Sequence, residues 1–422
     1  MNSEALVAAK PQEAVPESQS KRLMNNRTFL WIYLGSTLSI MGEGFHSIVV
    51  GFWVLSTTGS AKAMMTIMVV QMITSFLLGS VAGTIADRYN RRMIMLGMDI
   101  VRGILMVGVA AVVSFGEGQG WWMLIVLLAL VGAASQFHNP AFSSSLINIV
   151  GKEQIQRATS LMQITDTLAR LAGLSLGGAA VAIFGGPTSV IVVSIAFFIS
   201  AGCVLLSGSF PNPIQQDREK KGFWADLKHG LSYIRGHSIA RSVSILLPSI
   251  MVFFVASMMV FQVLAVTIWK ATPWQFGMLE AIIPIGYATG AGLIAFMGSR
   301  ITKRGIWVSI AMLLAGPNLM LLSSINDVYF AIPFVFLVGF ILSVGTIIVM
   351  VMLRTEVDGE YQGRVFGTIG SLSSLATPFG IILSGVFSDL YGADLVLMMN
   401  GAGLTLIAAV CIYFLKTLRK YN

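Results

Sequence analysis

The sequence predicts an all-α polytopic membrane protein, with twelve transmembrane helices in two pseudo-symmetric six-helix halves. The first observation is composition: 55% of the 422 residues are hydrophobic and only 11% are charged, whereas an ordinary soluble domain is roughly a quarter charged. The second is that the apolar residues fall in long runs, each close to the roughly 20 residues that a helix needs to cross a bilayer. The third is an internal repeat that relates the two parts of the chain.

The apolar runs define the elements in order. They have almost no polar face, so twelve of them cannot be hidden in the core of one soluble fold. The predicted spans lie near 28–56, 63–86, 93–115, 121–143, 158–184, 187–210, 242–268, 274–298, 305–324, 328–353, 362–388 and 392–415.

The segments between and around the spans complete the domain prediction. The amino-terminal segment has no hydrophobic stretch of the signal-peptide type and is predicted to be a cytoplasmic tail. The long polar break after the sixth span contains apolar residues at helical spacing, which predicts an amphipathic helix on the inner membrane surface. The predicted parts are a tail (1–27), a first half (28–210), a cytoplasmic linker (211–241), a second half (242–415) and a tail (416–422).

The basic residues are distributed very unevenly. With the amino terminus placed in the cytoplasm, all 27 Lys and Arg fall on the cytoplasmic side except Lys62 and Lys270 outside and Arg102 and Arg170 within spans. Because positive residues near helix ends are retained in the cytoplasm, both termini are predicted to be cytoplasmic. The net charge of +8 is therefore a topology signal, and we expect no nucleic-acid partner.

Two short segments match each other across the chain. Glu153 and Arg157, after the fourth span, correspond to Glu360 and Arg364, after the tenth span, at one constant offset. This correspondence indicates that the second half repeats the first.

The loop between the second and third spans reads GTIADRYNRR over residues 83–92. It resembles the loop between helices 2 and 3 of the major facilitator superfamily, which reads roughly G-x-x-x-D-R-x-x-R-R. The residues on the matching positions are Gly83, Asp87, Arg88, Arg91 and Arg92. The resemblance implies a transporter built from two six-helix halves, with a substrate cavity at their interface near the bilayer midplane.

Within that superfamily, residues 28–415 resemble the bacterial macrolide-efflux (Mef-type) branch. The resemblance is carried by FHNPA at 137–141, GRVFG at 363–367, and PFG at 378–380 followed by Ser384 and Gly385. It implies export of hydrophobic or cationic, macrolide-like drugs across the bacterial cytoplasmic membrane by proton antiport. The alternative on the same fold is export of an endogenous lipid or siderophore.

Charged residues inside spans are costly and are therefore functional candidates. Glu43 lies in the middle of the first span between two glycines, and its low-dielectric surroundings favour proton uptake. We interpret Glu43 as a lone carboxylate that exchanges a proton for a cationic substrate, with His46 on the same helical face as a relay. The alternative is a structural hydrogen bond to a neighbouring helix.

Two pairs of opposite charges share a helix face. Asp99 and Arg102 are three residues apart, and Asp166 and Arg170 are four apart, so that each pair can neutralise itself. We interpret the first pair mainly as structural and the second as part of the coupling site. Glu280, in the outer third of the eighth span, is a gate or an interfacial residue, and both readings stay open.

The chain departs from the antiporter pattern in two places. Drug–proton antiporters often carry an arginine in helix 4, but residues 121–143 contain no Lys or Arg. The expected basic partner is therefore Arg170, Arg102 or His46. The helix-5 pattern G-x-x-x-G-P-x-x-G-G is only partly present, and its glycines are also explained by close helix packing. Gly173, Gly177 and Gly178 match it, while Ala169 and Leu174 depart from it.

Asp87 and Arg88 are interpreted as a gate, in which the aspartate faces the positive amino terminus of a helix in the other half. Arg91 and Arg92 are expected to anchor the topology as well. The sequence contains no Walker loop, zinc spacing or nucleophile elbow, so we predict a transporter with no cofactor and no bound metal, and not an enzyme. His138 is interpreted as a structural helix-end residue. The expected partners of the monomer are a small hydrophobic substrate, protons and the lipid bilayer.

Overall fold

The computed structural model describes residues 23, 25–115, 120–209 and 223–414. Twelve helices in this part of the chain are long and apolar enough to cross a membrane, which confirms the predicted fold class. The helices of the first half are α1 Arg27–Thr58, α2 Ala61–Arg88, α3 Arg91–Phe115, α4 Trp121–Val150, α5 Ile155–Phe184 and α6 Gly186–Leu206. They are followed by α7 Phe223–Gly236, α8 Ser238–Thr267, α9 Pro273–Met297, α10 Arg304–Ser323, α11 Val328–Glu356, α12 Gly359–Tyr391 and α13 Ala393–Phe414.

Side-chain caps fix the starts of several spanning helices. The Asn26 side chain accepts a hydrogen bond from the Phe29 amide at the start of α1, and Ser60 caps α2 in the same way. Thr272 and Gln275 form a reciprocal capping box at the start of α9. Because the connections are short, successive spans run in opposite directions. We call the end that carries Arg88, Arg91 and the 298–304 loop the basic end, and the other the opposite end.

Helix α4 is longer than predicted. The sequence prediction ended it at residue 143, where a run of serines begins, but the helix continues to Val150. The Ser144 and Ser145 hydroxyls donate to the carbonyl oxygens of Pro140 and Ala141, each at 2.6 Å. These polar side chains are thus satisfied inside the helix, which is why they do not end it.

The two halves have different interiors. One continuous apolar core runs through the second half, where it includes Phe261, Leu279, Val349 and Leu397, and it extends onto α1 and α2 of the first half. In the first half the buried apolar residues form separate smaller clusters, one towards the opposite end and two towards the basic end. Buried charged side chains lie between these clusters.

The halves meet at the opposite end. Helices α5 and α9 cross at Gly178 and Gly277, where a Cβ on Gly178 would lie 2.5 Å from the carbonyl oxygen of Pro273. Only glycine permits this approach of the two backbones. Beside the crossing, the Asp389 carboxylate at the end of α12 accepts hydrogen bonds from the Ala61 amide at 2.7 Å and from the Ser60 hydroxyl at 2.9 Å. A carboxylate of the second half therefore sits on the amino terminus of α2.

The predicted amphipathic helix is observed as α7, and it packs against the second half. The Tyr233 ring stacks on Tyr361 of α12 with centroids 4.6 Å apart, and its hydroxyl donates to Asp358 at 3.2 Å. Ile234 is buried in the core of the second half. Residues 210–222 lie outside the described part of the chain, and the domain boundaries given above stay predictions.

Candidate functional site

A cavity of about 360 Å³ lies among α1, α2, α4, α5 and α8. Its wall combines apolar side chains, among them Met64, Met68 and Leu128, with many polar ones. The polar residues that line it include Glu43, His46, Gln71, Gln136, Asn139, Arg170 and Gln262. An apolar cavity wall with polar groups at selected points suits an amphiphilic small molecule.

Small residues place Glu43 at the cavity wall. A Cβ on Gly44 would lie 2.9 Å from the carbonyl oxygen of Arg170, and a Cβ on Gly173 would clash with the carbonyl oxygen of Met41. The backbones of α1 and α5 therefore approach closely on that face. The carboxylate of Glu43 is directed to the other side, where its side chain is 20% exposed.

Glu43 is paired with an arginine from another helix. Arg102 Nη1 on α3 donates to Glu43 Oε1 at 3.0 Å, and the Ser135 hydroxyl on α4 donates to the same oxygen at 3.2 Å. The interpretation of Glu43 as a lone carboxylate is therefore wrong, because the guanidinium crosses from α3 to reach it. Of the three basic partners considered from the sequence, Arg102 is the one in contact.

Arg102 also binds Asp99, and both side chains are fully buried. Arg102 Nη2 donates to Asp99 Oδ1, and the guanidinium lies over the Phe197 ring of α6 at 4.6 Å from its centroid. The Ser200 hydroxyl of α6 donates to Asp99 Oδ2 at 2.7 Å. The intrahelical pair expected from the three-residue spacing is present, but it is only part of a cluster that links α1, α3, α4 and α6.

His138 belongs to this cluster and was misjudged from the sequence. It is 3% exposed, and its Nε2 lies 3.5 Å from Asp99 Oδ1. The sequence favours a structural helix-end residue here, because Asn139 and Pro140 follow His138. Helix α4 instead continues through Pro140, so that His138 lies well inside the helix. The three-residue spacing of Ser135 and His138, which puts both on one face, was the signal in the sequence.

Asp166 and Arg170 do not form an ion pair with each other in the structure. Arg170 is exposed and lines the cavity. Asp166 is partly buried within electrostatic range of Arg170 and Glu43, and its Oδ1 has no hydrogen-bond partner among the described residues. Both side chains are thus near the cavity, and their role in coupling stays a prediction.

Glu280 is the remaining intramembrane carboxylate of the prediction. It lies on α9 in the second half, partly buried, beside the side chain of Gln262. Since Gln262 lines the cavity, Glu280 stands behind the cavity wall. The structure does not bring it into the Glu43 cluster.

The arginines of the 83–92 loop close helix ends within the first half. Arg91 is buried and donates to the carbonyl oxygens of Ala86 at 3.1 Å and Ser144 at 2.8 Å. Arg92 donates to the carbonyl oxygens of Val204 and Leu205 at the end of α6. These contacts place positive charge at carboxyl-terminal helix ends, where it is favourable.

The other members of that motif are more peripheral. Arg88 is exposed, and a Cβ on Gly83 would meet no atom within 4 Å. The side chain of Asp87 lies outside the described part of the structure, and its gating role stays a prediction. Arg364, the second-half counterpart of Arg157, has its guanidinium 5.7 Å from the centroid of the Tyr361 ring, beside α7.

Twelve helices long enough to cross a membrane, five of which line a cavity with both apolar and polar side chains, are an arrangement typical of multi-pass transporters. The family profile of the Major Facilitator Superfamily matches residues 32–272. The chain belongs to this superfamily, as the 83–92 motif indicated.

The proteins similar in sequence include some that are named as exporters. The chain is 21% identical over 392 residues to macrolide efflux protein A of Streptococcus pyogenes, covering 91% of this chain and 95% of that protein. It is 24% identical over 378 residues to the multidrug efflux pump Tap of Mycobacterium tuberculosis, covering 87% and 89%. The predicted resemblance to the macrolide-efflux branch is confirmed by the first of these matches.

Solved structures share the fold. A bacterial homologue of the human lysosomal transporter Spinster, in an inward-facing and unoccupied conformation, superposes with a TM-score of 0.72 at 14% identity. The match covers 94% of this chain and 99% of that one. At this identity the likeness shows the architecture alone.

Proposed function

We propose that this transporter exports hydrophobic or cationic, macrolide-like drugs across the cytoplasmic membrane by exchange for protons. The observation that carries the proposal is the position of Glu43, which lines the cavity and is held at 3.0 Å by a fully buried arginine. The macrolide and multidrug efflux relatives support the substrate class. The distribution of Lys and Arg supports a cytoplasmic location for the basic end and for both termini.

The chemistry follows from the two faces of the cluster. Its inner face, Arg102 and Asp99, is closed to solvent, whereas Glu43 presents one carboxylate to the cavity. A cationic substrate bound beside Glu43 supplies a positive charge to the cluster, so a proton held by the cluster is no longer needed for neutrality and leaves. Return of a proton from the external side then favours release of the substrate.

The contacts at the opposite end fit one stage of this cycle. Asp389 and the Gly178–Gly277 crossing hold the halves together there, and the proposal assigns this end to the external side. The gating role proposed for Gly83, Asp87, Arg88, Arg91 and Arg92 belongs to the basic end, and it would act in the alternate conformation.

The test is proton release by the purified, detergent-solubilised protein on addition of a cationic macrolide such as erythromycin. Wild type should release protons and Glu43→Gln, which keeps the shape but cannot ionise, should not. Glu153→Gln, which removes an exposed carboxylate far from the cavity, is the matched control and should behave as wild type. Undiminished release from Glu43→Gln would move coupling to Asp166.

The substrate class is tested separately. Cells that express the protein should tolerate more macrolide than cells that lack it, and the difference should disappear with Glu43→Gln. If no drug in a broad panel is tolerated better, export of a lipid or siderophore becomes the favoured function.

A further inference from the structure

The buried side of the charge cluster contains a second titratable pair that does not line the cavity. Asp99 is fully buried and His138 is 3% exposed, with Nε2 and Oδ1 3.5 Å apart. Neither ring nitrogen of His138 has a hydrogen-bond partner among the described residues. A histidine in this position is aimed at a carboxylate and is shielded from the cavity.

The charges of the cluster do not balance without a proton. Ionised Glu43 and Asp99 carry two negative charges, and Arg102, the one arginine that contacts them, carries one positive charge. An uncompensated charge at this depth is strongly disfavoured, so that one bound proton brings the cluster to neutrality.

The groups that face His138 restrict where this proton can lie. Asp99 of α3 faces the ring directly, and Arg102 of α3 and the Cys203 thiol of α6 lie beside Asp99. Glu43 of α1 lies on the far side of Arg102, and beyond it on the cavity side are His46 of α1 and the charges of α5, Asp166 and Arg170. Glu43 sits in ion-pair geometry with Arg102 and accepts a second hydrogen bond from Ser135, an arrangement that suits an ionised carboxylate. Arg102 is always charged. The Asp99–His138 pair is left as the place that accepts the proton.

We propose that Asp99 and His138 form a proton-binding site, in which His138 is an imidazolium whenever Glu43 is ionised and no cationic substrate is bound. The role of this site in transport rests on the proposed function. In that function, the proton that a cationic substrate displaces is the one on His138. The N–H bond of the imidazolium breaks, its proton passes to water, and His138 remains as the neutral imidazole. The charge of the substrate then replaces that of the proton.

The protonation state of His138 can be measured without any substrate. The ring nitrogens of His138 in purified, ¹⁵N-histidine-labelled protein are assigned with the spectrum of His138→Gln, and their shifts report the protonation state at neutral pH. We expect an imidazolium in wild type and a neutral ring in Glu43→Gln, because the variant removes one negative charge and Arg102 then balances Asp99 alone. Asp99→Asn removes the other negative charge and should also give a neutral ring, which keeps the test open if one variant does not fold.

Three results would overturn the proposal. A neutral His138 in substrate-free wild type would do so, as would an imidazolium at His46 with His138 neutral, which would put the proton on the cavity side. An imidazolium that persists in both variants would also contradict the linkage of charges. None of these measurements involves transport, so failure here is distinct from failure of the proposed exchange, which is tested by substrate-induced proton release.

Discussion

The two halves share a fold but use their interiors differently. The second half is held by one continuous apolar core, with Glu280 as its intramembrane carboxylate among the described residues. In the first half the apolar clusters are separated by Glu43, Asp99, Arg102 and His138, which bind one another across four helices. Buried ionic groups contribute little net stability compared with apolar packing. The difference teaches that the first half gives up apolar packing at its centre in order to hold titratable groups.

The largest effect is expected from Arg102→Met. It leaves Glu43 and Asp99 without their shared partner, and breaking a buried ion pair from one side costs about 3–5 kcal/mol. The thermal unfolding temperature of purified protein should fall strongly. Arg170→Met makes the same chemical change at an exposed cavity position, and it should lower the unfolding temperature much less. An equal fall in the unfolding temperature of the two variants would mean that the Arg102 contacts contribute no more to stability than an exposed cavity residue does.

Substitution of the intramembrane carboxylates of each half tests whether export depends mainly on the first half. Glu43→Gln should abolish gradient-driven export in membrane vesicles, more severely for cationic than for neutral substrates, because it removes the cavity-facing charge. Glu280→Gln in the second half should retain most export, since Glu280 stands behind the cavity wall. Asp166→Asn should have an intermediate effect. If Glu280→Gln is as inactive as Glu43→Gln, coupling is shared between the halves.

The contact between the halves gives a third test. Gly178→Ala inserts a methyl group where a Cβ meets the Pro273 carbonyl oxygen at 2.5 Å and the Gly277 Cα at 3.0 Å, and overpacking of this kind costs about 1–3 kcal/mol. Spin labels on the ends of α5 and α9 should report wider separation. Gly202→Ala is the control, because a Cβ there meets no atom within 4 Å. Unchanged distances in Gly178→Ala would show that α5 and α9 accommodate the methyl group without separating.

The smallest effect is expected from Asp389→Asn. The variant keeps an oxygen that accepts hydrogen bonds but loses the charge on the amino terminus of α2, a contribution of about 0.3–1 kcal/mol. The population with the opposite end closed should therefore fall by a small factor in the same distance measurement. Asp394→Asn removes a nearby carboxylate that does not contact α2 and should leave the distances as in wild type. A similar shift in both variants would indicate a general surface-charge effect.

The helices could be predicted from the sequence because each span carries its own hydrophobic signal. The proximity of Asp99 and Arg102 within α3 could likewise be predicted, since it depends only on a spacing of three residues. The contact between Arg102 and Glu43 was not, because it depends on how α1 and α3 are rotated against each other, and apolar residues surround both on nearly all sides. The position of His138 well inside its helix was not predicted, because the predicted span ended at residue 143 whereas α4 continues to Val150.

The Glu43–Arg102 contact also has a consequence for how the chain is made. Helix α3 brings an arginine into the bilayer, and a charge at the centre of an isolated helix opposes insertion by about 2.5–3.5 kcal/mol. Helix α1 is synthesised first, so its carboxylate is already in the membrane when Arg102 arrives at the translocon. The two residues that hold the cavity wall in the finished protein thereby assist each other during biosynthesis, and the order of helices along the chain is part of what allows so charged a centre to be built.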